Sequence, residues 1–183
     1  ICAPLGMEHT ALAPTLSDNA WVQEQRRLVQ GYSTQLEPLE NLFAIPLYPA
    51  GMATGTMEDF VRFAKALLAE EGEASPLFEK PETLSAMLSP SLMYGDSGLS
   101  RSSHGFWTLY FGVPVQGHGG NTAAFSSYLL VHRESGTGFV VMTNQGNEGI
   151  YNSLLPELVF GGYAPDGGEA TVAVRPSAGT FQS

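Results

Sequence analysis

The stretch Gly117-His118-Gly119-Gly120-Asn121-Thr122-Ala123-Ala124-Phe125-Ser126-Ser127-Tyr128 decides how the chain is read. It lies among strand-like runs: Phe106 to Phe111 and Val115 to Gly119 before or within it, Phe125 to His132 across its end, and Phe139 to Asn144 beyond. Gly112-Val113-Pro114 and Arg133 to Gly138 are the short links between them. Consecutive strands joined by short links pair antiparallel, so residues 106 to 144 are expected to form an antiparallel sheet with His118 on an edge strand. Small residues at 119, 120, 123 and 124 leave room for another backbone or an acyl group to approach the strand. The histidine supplies a group that is neutral or charged near pH 7. From the residues alone, a bulged edge strand with a surface histidine and a substrate-binding strand fit equally well.

Upstream of the sheet the period changes. Met57, Phe60, Val61, Ala64, Leu67 and Leu68 recur at three and four, and Thr56 with Asp59 has the spacing of a capping box, which predicts a helix from residue 56 to about Gly72. This helix is expected to lie near the sheet. Pro81, pre-set for a first helical position, predicts a second helix carrying Leu84, Met87 and Leu88 inward until Pro90 stops it. Residues 11 to 50 hold a short helix around Trp21 to Val29 within long irregular connections. Residues 148 to 160 place Ile150, Leu154, Leu155, Leu158 and Val159 on one helical face, which Pro156 must kink or leave one amide bond short. The fold class is therefore α+β, an antiparallel sheet with flanking helices over residues 1–163. Residues 164–183 read as a Gly- and Asp-rich linker with one β-prone run, Thr171 to Val174.

Composition narrows the function. The chain has 183 residues, 43% hydrophobic and 14% charged, with 21 glycines and 12 prolines. That is a turn-rich, one-domain length able to bury a core without metal or disulfide staples, and it excludes disordered and collagen-like classes. Eight basic against eighteen acidic residues give a net charge of −10, and the one basic cluster is Arg26-Arg27. A surface that tracks phosphates has nothing to be built from, so nucleic acid and anionic membrane are disfavoured partners. Cys2 is the single cysteine, which excludes an internal disulfide and a thiolate cage. His9, His104, His118 and His132 form no i, i+4 pair, so no metal and no other cofactor is expected. Gly117 to Gly120 leads into a strand pattern rather than a helix, unlike a phosphate loop. The longest apolar runs, such as Tyr128 to Val131, fall far short of the ~20 residues of a membrane helix, and the start does not look like a signal peptide. A start at Ile1 without a methionine suggests a piece of something longer.

The central stretch resembles the third motif of the serine β-lactamase and penicillin-binding-protein family, in its class C and esterase-like branch. There a Lys-Thr-Gly or His-x-Gly triplet on the strand lining the active site is followed by a Gly-Phe-x-Ser-Tyr-like run. His118-Gly119-Gly120 is similar to the triplet and Phe125-Ser126-Ser127-Tyr128 to the run. Pro4-Leu5-Gly6-Met7 with Thr10 resembles the family's Pro-Leu-Gly-Met-x-x-Thr. Pro49-Ala50-Gly51-Met52 through Asp59 and Phe63 resembles its Pro-Ala-Gly-Gly…Asp…Phe element. Gly31-Tyr32, Gly105-Phe106-Trp107 and Thr143-Asn144 are weaker echoes, and Ser177 to Phe181 is similar to a segment that often follows such domains. The resemblance spans residues 1 to about 160 and implies the C-terminal portion of a β-lactamase-like fold.

The resemblance implies that His118, Gly119, Gly120 and Asn121 form the substrate-binding strand, with the Asn121 N–H donating to the oxyanion and His118 positioning a substrate carboxylate or tuning a neighbouring tyrosine. The family nucleophile is the serine of Ser-x-x-Lys, assisted by Tyr-x-Asn, both ahead of Pro-Leu-Gly-Met. The two lysines, Lys65 and Lys80, follow Arg62 and Leu77 by three, so the chain has no Ser-x-x-Lys and no catalytic residue is assigned in it. Ser17-Asp18-Asn19 falls after Pro-Leu-Gly-Met and reads as a turn or cap. The implied protein is bacterial and extracytoplasmic, membrane-anchored if the tail leads to an anchor. Its partners are the missing N-terminal half of the domain, a small-molecule or peptide substrate, and a second copy through an exposed strand edge. One function is a fragment of a hydrolase acting on a β-lactam, a D-Ala-D-Ala-like peptide or an ester. The other is a non-catalytic module on the same scaffold that binds peptides or a protein.

Overall fold

The computed structural model describes residues 1–40, 47–146 and 149–162. In chain order the elements are α1 (Cys2–Leu5), β1 (Thr10–Ala11), α2 (Ala20–Arg26), β2 (Gly31–Tyr32), β3 (Pro38–Leu39), α3 (Tyr48–Gly51), β4 (Thr54–Gly55), α4 (Met57–Leu67) and α5 (Pro81–Leu88). Then follow β5 (Leu92–Met93), β6 (Ser100–Ser103), β7 (Phe106–Tyr110), β8 (Pro114–Asn121), β9 (Ser126–His132), β10 (Thr137–Thr143) and α6 (Gly149–Phe160). Strands β5 to β10 form one antiparallel sheet in the order β10-β9-β8-β7-β6-β5. The α+β class and the antiparallel sheet over residues 106 to 144 are as the sequence predicts. One expectation is corrected: β8, which carries His118, is an interior strand with β7 on one side and β9 on the other.

Strand β9 is the middle of the packing. Its alternation sends Leu129 and Val131 to one face, against Ala64 and Leu67 of α4 and Leu84 and Leu88 of α5. Tyr128 and Leu130 go to the other face, with Val115 of β8 and Phe160 of α6. Each leucine, valine and phenylalanine among them stabilises the fold by roughly 1.5–3 kcal/mol when fully buried. Arg133, in the turn after β9, clamps the upper layer: Nε and Nη2 donate to Ala69 O at 3.2 and 2.8 Å, and Nη1 to Ser85 Oγ at 3.2 Å. In α6, Pro156 is fully buried and lacks the N–H that its turn would use. On the same helix Leu158 is 82% exposed, whereas Val159 packs beneath the sheet.

Helix α4 starts and stops for local reasons. The Thr56 hydroxyl caps it by accepting the Asp59 N–H at 3.3 Å. It ends at Leu67, short of the expected Gly72, which adopts φ +83° in the turn beyond. The Thr56/Asp59 pair is only half a capping box. A reciprocal box would return the acidic side chain to the cap's own N–H. Here the Asp59 carboxylate accepts the His9 N–H and the Thr10 O–H, both at 2.8 Å, and the Thr56 N–H goes to His9 O at 3.3 Å. One turn further along α4, Arg62 Nη1 donates to Gly6 O at 2.7 Å. The N-terminal segment is thus tied to the helix at residues 6, 9 and 10, and β1 pairs with β4 beside it.

Sequence and structure also agree on the small elements. Asn19 is the N-cap of α2, accepting the Val22 N–H at 3.1 Å, and Asp18 accepts the Leu12 N–H at 2.7 Å. That bond, with the Ala13 N–H, holds the Asp18 carboxyl below its ordinary pKa. The turn joining β6 to β7 has His104 at φ +32° and Gly105 at φ +98°, the type I′ pattern that suits a tight hairpin. The proposed linker of residues 164–183, including Thr171 to Val174 and Ser177 to Phe181, lies outside the described residues.

Asp59→Ala strands an amide and a hydroxyl in a site where Asp59 itself is 2% exposed. The expected loss is about 3 kcal/mol, a drop in melting temperature of about 6–12 °C for a domain this size. Asp59→Asn, which keeps one acceptor, should lose about half as much. Thermal unfolding by circular dichroism measures both.

Candidate functional site

The ladder between β7 and β8 runs from Tyr110↔Pro114 to Trp107↔Gly117 and stops. Strand β8 continues for His118, Gly119, Gly120 and Asn121, which pair with Leu129, Tyr128, Ser127 and Ser126 of β9 alone. These four residues therefore form a local edge inside an interior strand. Backbone groups on the β7 side of this overhang have no partner strand among the described residues. Thr122 N–H bonds Phe125 O at 2.8 Å, toward β9, and the alternation of an antiparallel strand turns the Asn121 N–H the opposite way.

The turn after the overhang is fixed. Thr122 Oγ1 accepts the N–H groups of Phe125 and Ala124 at 3.0 and 3.3 Å. Ser126 Oγ, buried, donates to Gln145 O at 3.0 Å. Tyr32 N–H bonds Asn144 O at 2.8 Å and Gly146 N–H bonds Tyr32 O at 3.1 Å, so β2 braces the same corner. At Gly31 an added Cβ would stand 2.6 Å from the Ala124 Cβ. The weak echoes Gly31-Tyr32 and Thr143-Asn144 are thus neighbours that support this turn.

Two cavities meet at the overhang. The larger, about 670 Å³, lies between Gly120-Asn121 on one wall and Ala50-Gly51-Met52 on the other, with Ser127 and Asn144 at its sides. The second, about 520 Å³, places Gly119, Gly120 and Asn121 opposite Asn152 and Ser153 of α6, with Leu109 and Tyr128 as apolar lining. A third, about 310 Å³ and mostly apolar, continues from the larger one past Ala53, Gly55 and Met142 to Phe60 and Phe63. Gly120 and Asn121 are common to the first two, so a group seated against them is reached from both faces of the sheet.

The structure sorts the motif residues into two sets. Gly119, Gly120, Asn121 and the Ala50 to Met52 segment line cavities, whereas Gly6 and Asp59 join the N-terminal segment to α4, and Thr10 belongs to both, bonding Asp59 and lining the third cavity. His118 is exposed and stacks on the Trp107 indole, ring centroids 4.1 Å apart and planes at 25°. Its Nδ1 lies 2.6 Å from Gly119 O. A carbonyl only accepts, so Nδ1 carries the hydrogen and Nε2 is the atom left to face solvent. His118 does not line the three cavities described above. Sequence reasoning did not place Arg26 here, although it lines the larger cavity; its one signal was membership of the only basic pair in an acidic chain. Among the described residues no cluster of three His, Cys, Asp or Glu side chains is placed to hold a metal, and no helix is long and apolar enough to cross a membrane.

Comparison with known proteins follows the same outline. The β-lactamase family model matches residues 1–159. A β-lactamase/D-alanine carboxypeptidase from Pseudomonas syringae is similar in structure, with a TM-score of 0.56 and 16% identity over 85% of this chain and 49% of that one. A D-stereospecific amidohydrolase from a Streptomyces species has a TM-score of 0.52 and 22% identity over 80% of this chain and 42% of that one. The chain thus spans about half the length of either structure, and the likeness is one of fold. No curated protein matches the sequence.

Glycine at 119 has a steric reason. A Cβ there would stand 2.9 Å from the Tyr128 ring, whereas at Gly120 the nearest contact is Ser127 Oγ at 3.3 Å. Gly119→Ala is expected to cost about 1–3 kcal/mol through displacement of that ring, and Gly120→Ala less than half as much. Chemical denaturation, with the Tyr128 ring resonances as a local probe, distinguishes the two.

Proposed function

Because the chain belongs to the β-lactamase family, we propose that it supplies the strand-bearing wall of a serine acyl-transfer site acting on a β-lactam, a D-Ala-D-Ala-like peptide or a small ester. The observation that carries this reading is the overhang of β8: a short open edge, two of whose four residues are glycines without side chains, at the meeting point of two cavities. A substrate backbone laid along it would pair as a further strand. The outward Asn121 N–H would then be aimed at the acyl oxygen as negative charge develops there. One such donor accelerates acyl transfer by roughly 100- to 1,000-fold.

A donor stabilises an oxyanion only after a nucleophile has attacked. Neither lysine of this chain follows a serine by three, so in this proposal the Ser-x-x-Lys nucleophile and its Tyr-x-Asn partner come from the half of the fold that the chain does not span. The placement of the whole protein outside the cytoplasm belongs to the same proposal. So does the contact between the two halves, which we assign to the outer edge of β10 and the exposed face of α6 around Leu154 and Leu158. An open strand edge beside exposed apolar side chains favours association. The isolated chain is accordingly expected to self-associate in light scattering, or to do so only when cut back to Tyr163 if the run Thr171 to Val174 caps that edge, and a chain strictly monomeric in both forms would sink that assignment.

The test of the function is acylation of the longer protein by a fluorescent penicillin and by an activated ester. Covalent labelling by at least one is expected, and no labelling by either refutes the reading. In that protein Asn121→Ala, which keeps the backbone donor, should leave kcat within a few-fold. Asn121→Pro, which removes it, should lower kcat about 100-fold. The 183-residue chain alone is expected to hydrolyse neither nitrocefin nor p-nitrophenyl esters above background, and turnover abolished by mutating one of its own serines would overturn the assignment of the nucleophile.

A further inference from the structure

The second cavity, on the α6 side of the sheet, combines an aromatic wall with a single acid. Trp107 of β7 and Phe111 just beyond it share a face of the strand by alternation, and Tyr128 of β9 lies beside them in the lining. Trp107 is 47% exposed, and the stack of His118 on its indole holds the ring in place. A large aromatic surface is thus fixed in orientation while half of it remains in water.

Glu157 is the one charged side chain among the described residues lining this cavity. It stands one turn after Ser153 on the side of α6 that faces β7 and β8. The ion pairs among the described residues join Arg27 to Glu24, Arg62 to Glu58 and His132 to Glu134, and none reaches Glu157. Its place in the helix makes the missing counter-charge more telling. Glu157 opens the last turn of α6, where the helix dipole is negative, and that turn carries no basic residue. A carboxylate at a helix C-terminus works against the dipole, whereas a cation there is favoured by both. The cavity therefore presents two coincident sources of negative potential beside a wall of π-faces, which attract cations in their own right.

We propose that this cavity binds a primary alkylammonium group, its cation against Glu157 and the C-terminal end of α6, its apolar stem along Trp107 and Phe111. An ammonium carries N–H donors that a carboxylate accepts in charge-assisted bonds. Its stem covers aromatic surface that is otherwise hydrated. A bare metal ion fits less well, because it needs several acidic or imidazole ligands and the described residues hold no cluster of three. With about 520 Å³ the cavity has room for the stem as well as the charge. The site lies behind the overhang, sharing Gly120 and Asn121 with the larger cavity, and it stands whether or not that strand serves an acyl-transfer reaction.

The test titrates phenethylammonium and 2-phenylethanol, alike in shape and different in charge, into the 183-residue chain. The reporters are the Trp107 indole N–H resonance, told from that of Trp21 by a Trp107→Phe variant, and the backbone amides of Ser153 and Glu157. The ammonium should bind about tenfold tighter than the alcohol. Glu157→Gln should abolish that advantage by weakening the ammonium alone. Ser153→Lys, at an exposed position one turn before Glu157, should abolish it too by filling the site with its own ammonium. Because the chain carries a net charge of −10, Glu82→Gln at an exposed position on α5 is the control for diffuse attraction and should leave the advantage intact. Nα-acetyl-lysine methylamide carries the same group on a peptide frame: tighter binding than phenethylammonium makes a peptide side chain the source, weaker binding a free amine. The inference is wrong if the advantage survives E157Q or, should that variant lose its fold, survives S153K. It is equally wrong if E82Q reduces the advantage as much, or if neither compound moves the Trp107 resonance at millimolar concentration.

Discussion

One buried carboxylate organises the first third of the molecule. Asp59 stands in the first turn of α4, where the helix dipole already favours negative charge, and it accepts hydrogen bonds from residues 49 and 50 positions earlier. This contact converts a loop-rich N-terminal segment into a layer packed on the helix. Arg62 and the short β1–β4 pair act in the same place. The position of α3 and the wall of the larger cavity follow, because the chain enters α4 directly from β4 and reaches β4 from Ala50 to Met52. A carboxylate remote from any reacting group thus holds one side of the site in place.

The opposite side depends on β9. It is buried on both faces, so it has no freedom to slip by one residue without exposing Leu129 and Val131 or Tyr128 and Leu130. That register fixes β8 across its whole length, including the four residues that β7 does not reach. The site wall is therefore as rigid as the core, while the groups it offers are backbone atoms. Backbone donors do not swing between rotamers, which suits a role in which charge must be met at a fixed point.

Much of this was legible in the sequence, and the failures have identifiable causes. Helix α4 was visible because Phe60, Ala64 and Leu67 repeat at the helical period, and α5 because Pro81 starts it. Strands β7 to β10 were visible through their apolar runs. Strand β6, Ser100-Arg101-Ser102-Ser103, carries no apolar alternation and is a strand because the I′ turn folds it back onto β7. The capping box was only half right, since the Asp59 side chain answers to distant residues that a local rule does not consider. That the strand carrying His118 is interior, and open only over its last four residues, escapes a local reading for the same reason: whether a strand is central depends on where its neighbours end. Arg26 and Phe125 are 99 positions apart, and nothing local at either position announces that they meet.

The overhang of β8 exists because β7 is short, and β7 is short because the chain reverses at His104-Gly105 immediately before it. Access to the site wall is thus encoded as a length rather than as a residue identity. Two extra residues in β7, which would preserve the inward and outward alternation, would carry the ladder onto His118 and Gly119 and cover part of the wall without altering any side chain that lines it. Two fewer would lengthen the exposed strip toward Gly117. In this architecture insertions and deletions in one hairpin act as a dial on how much of β8 stays open, and they do so independently of the chemistry at its rim.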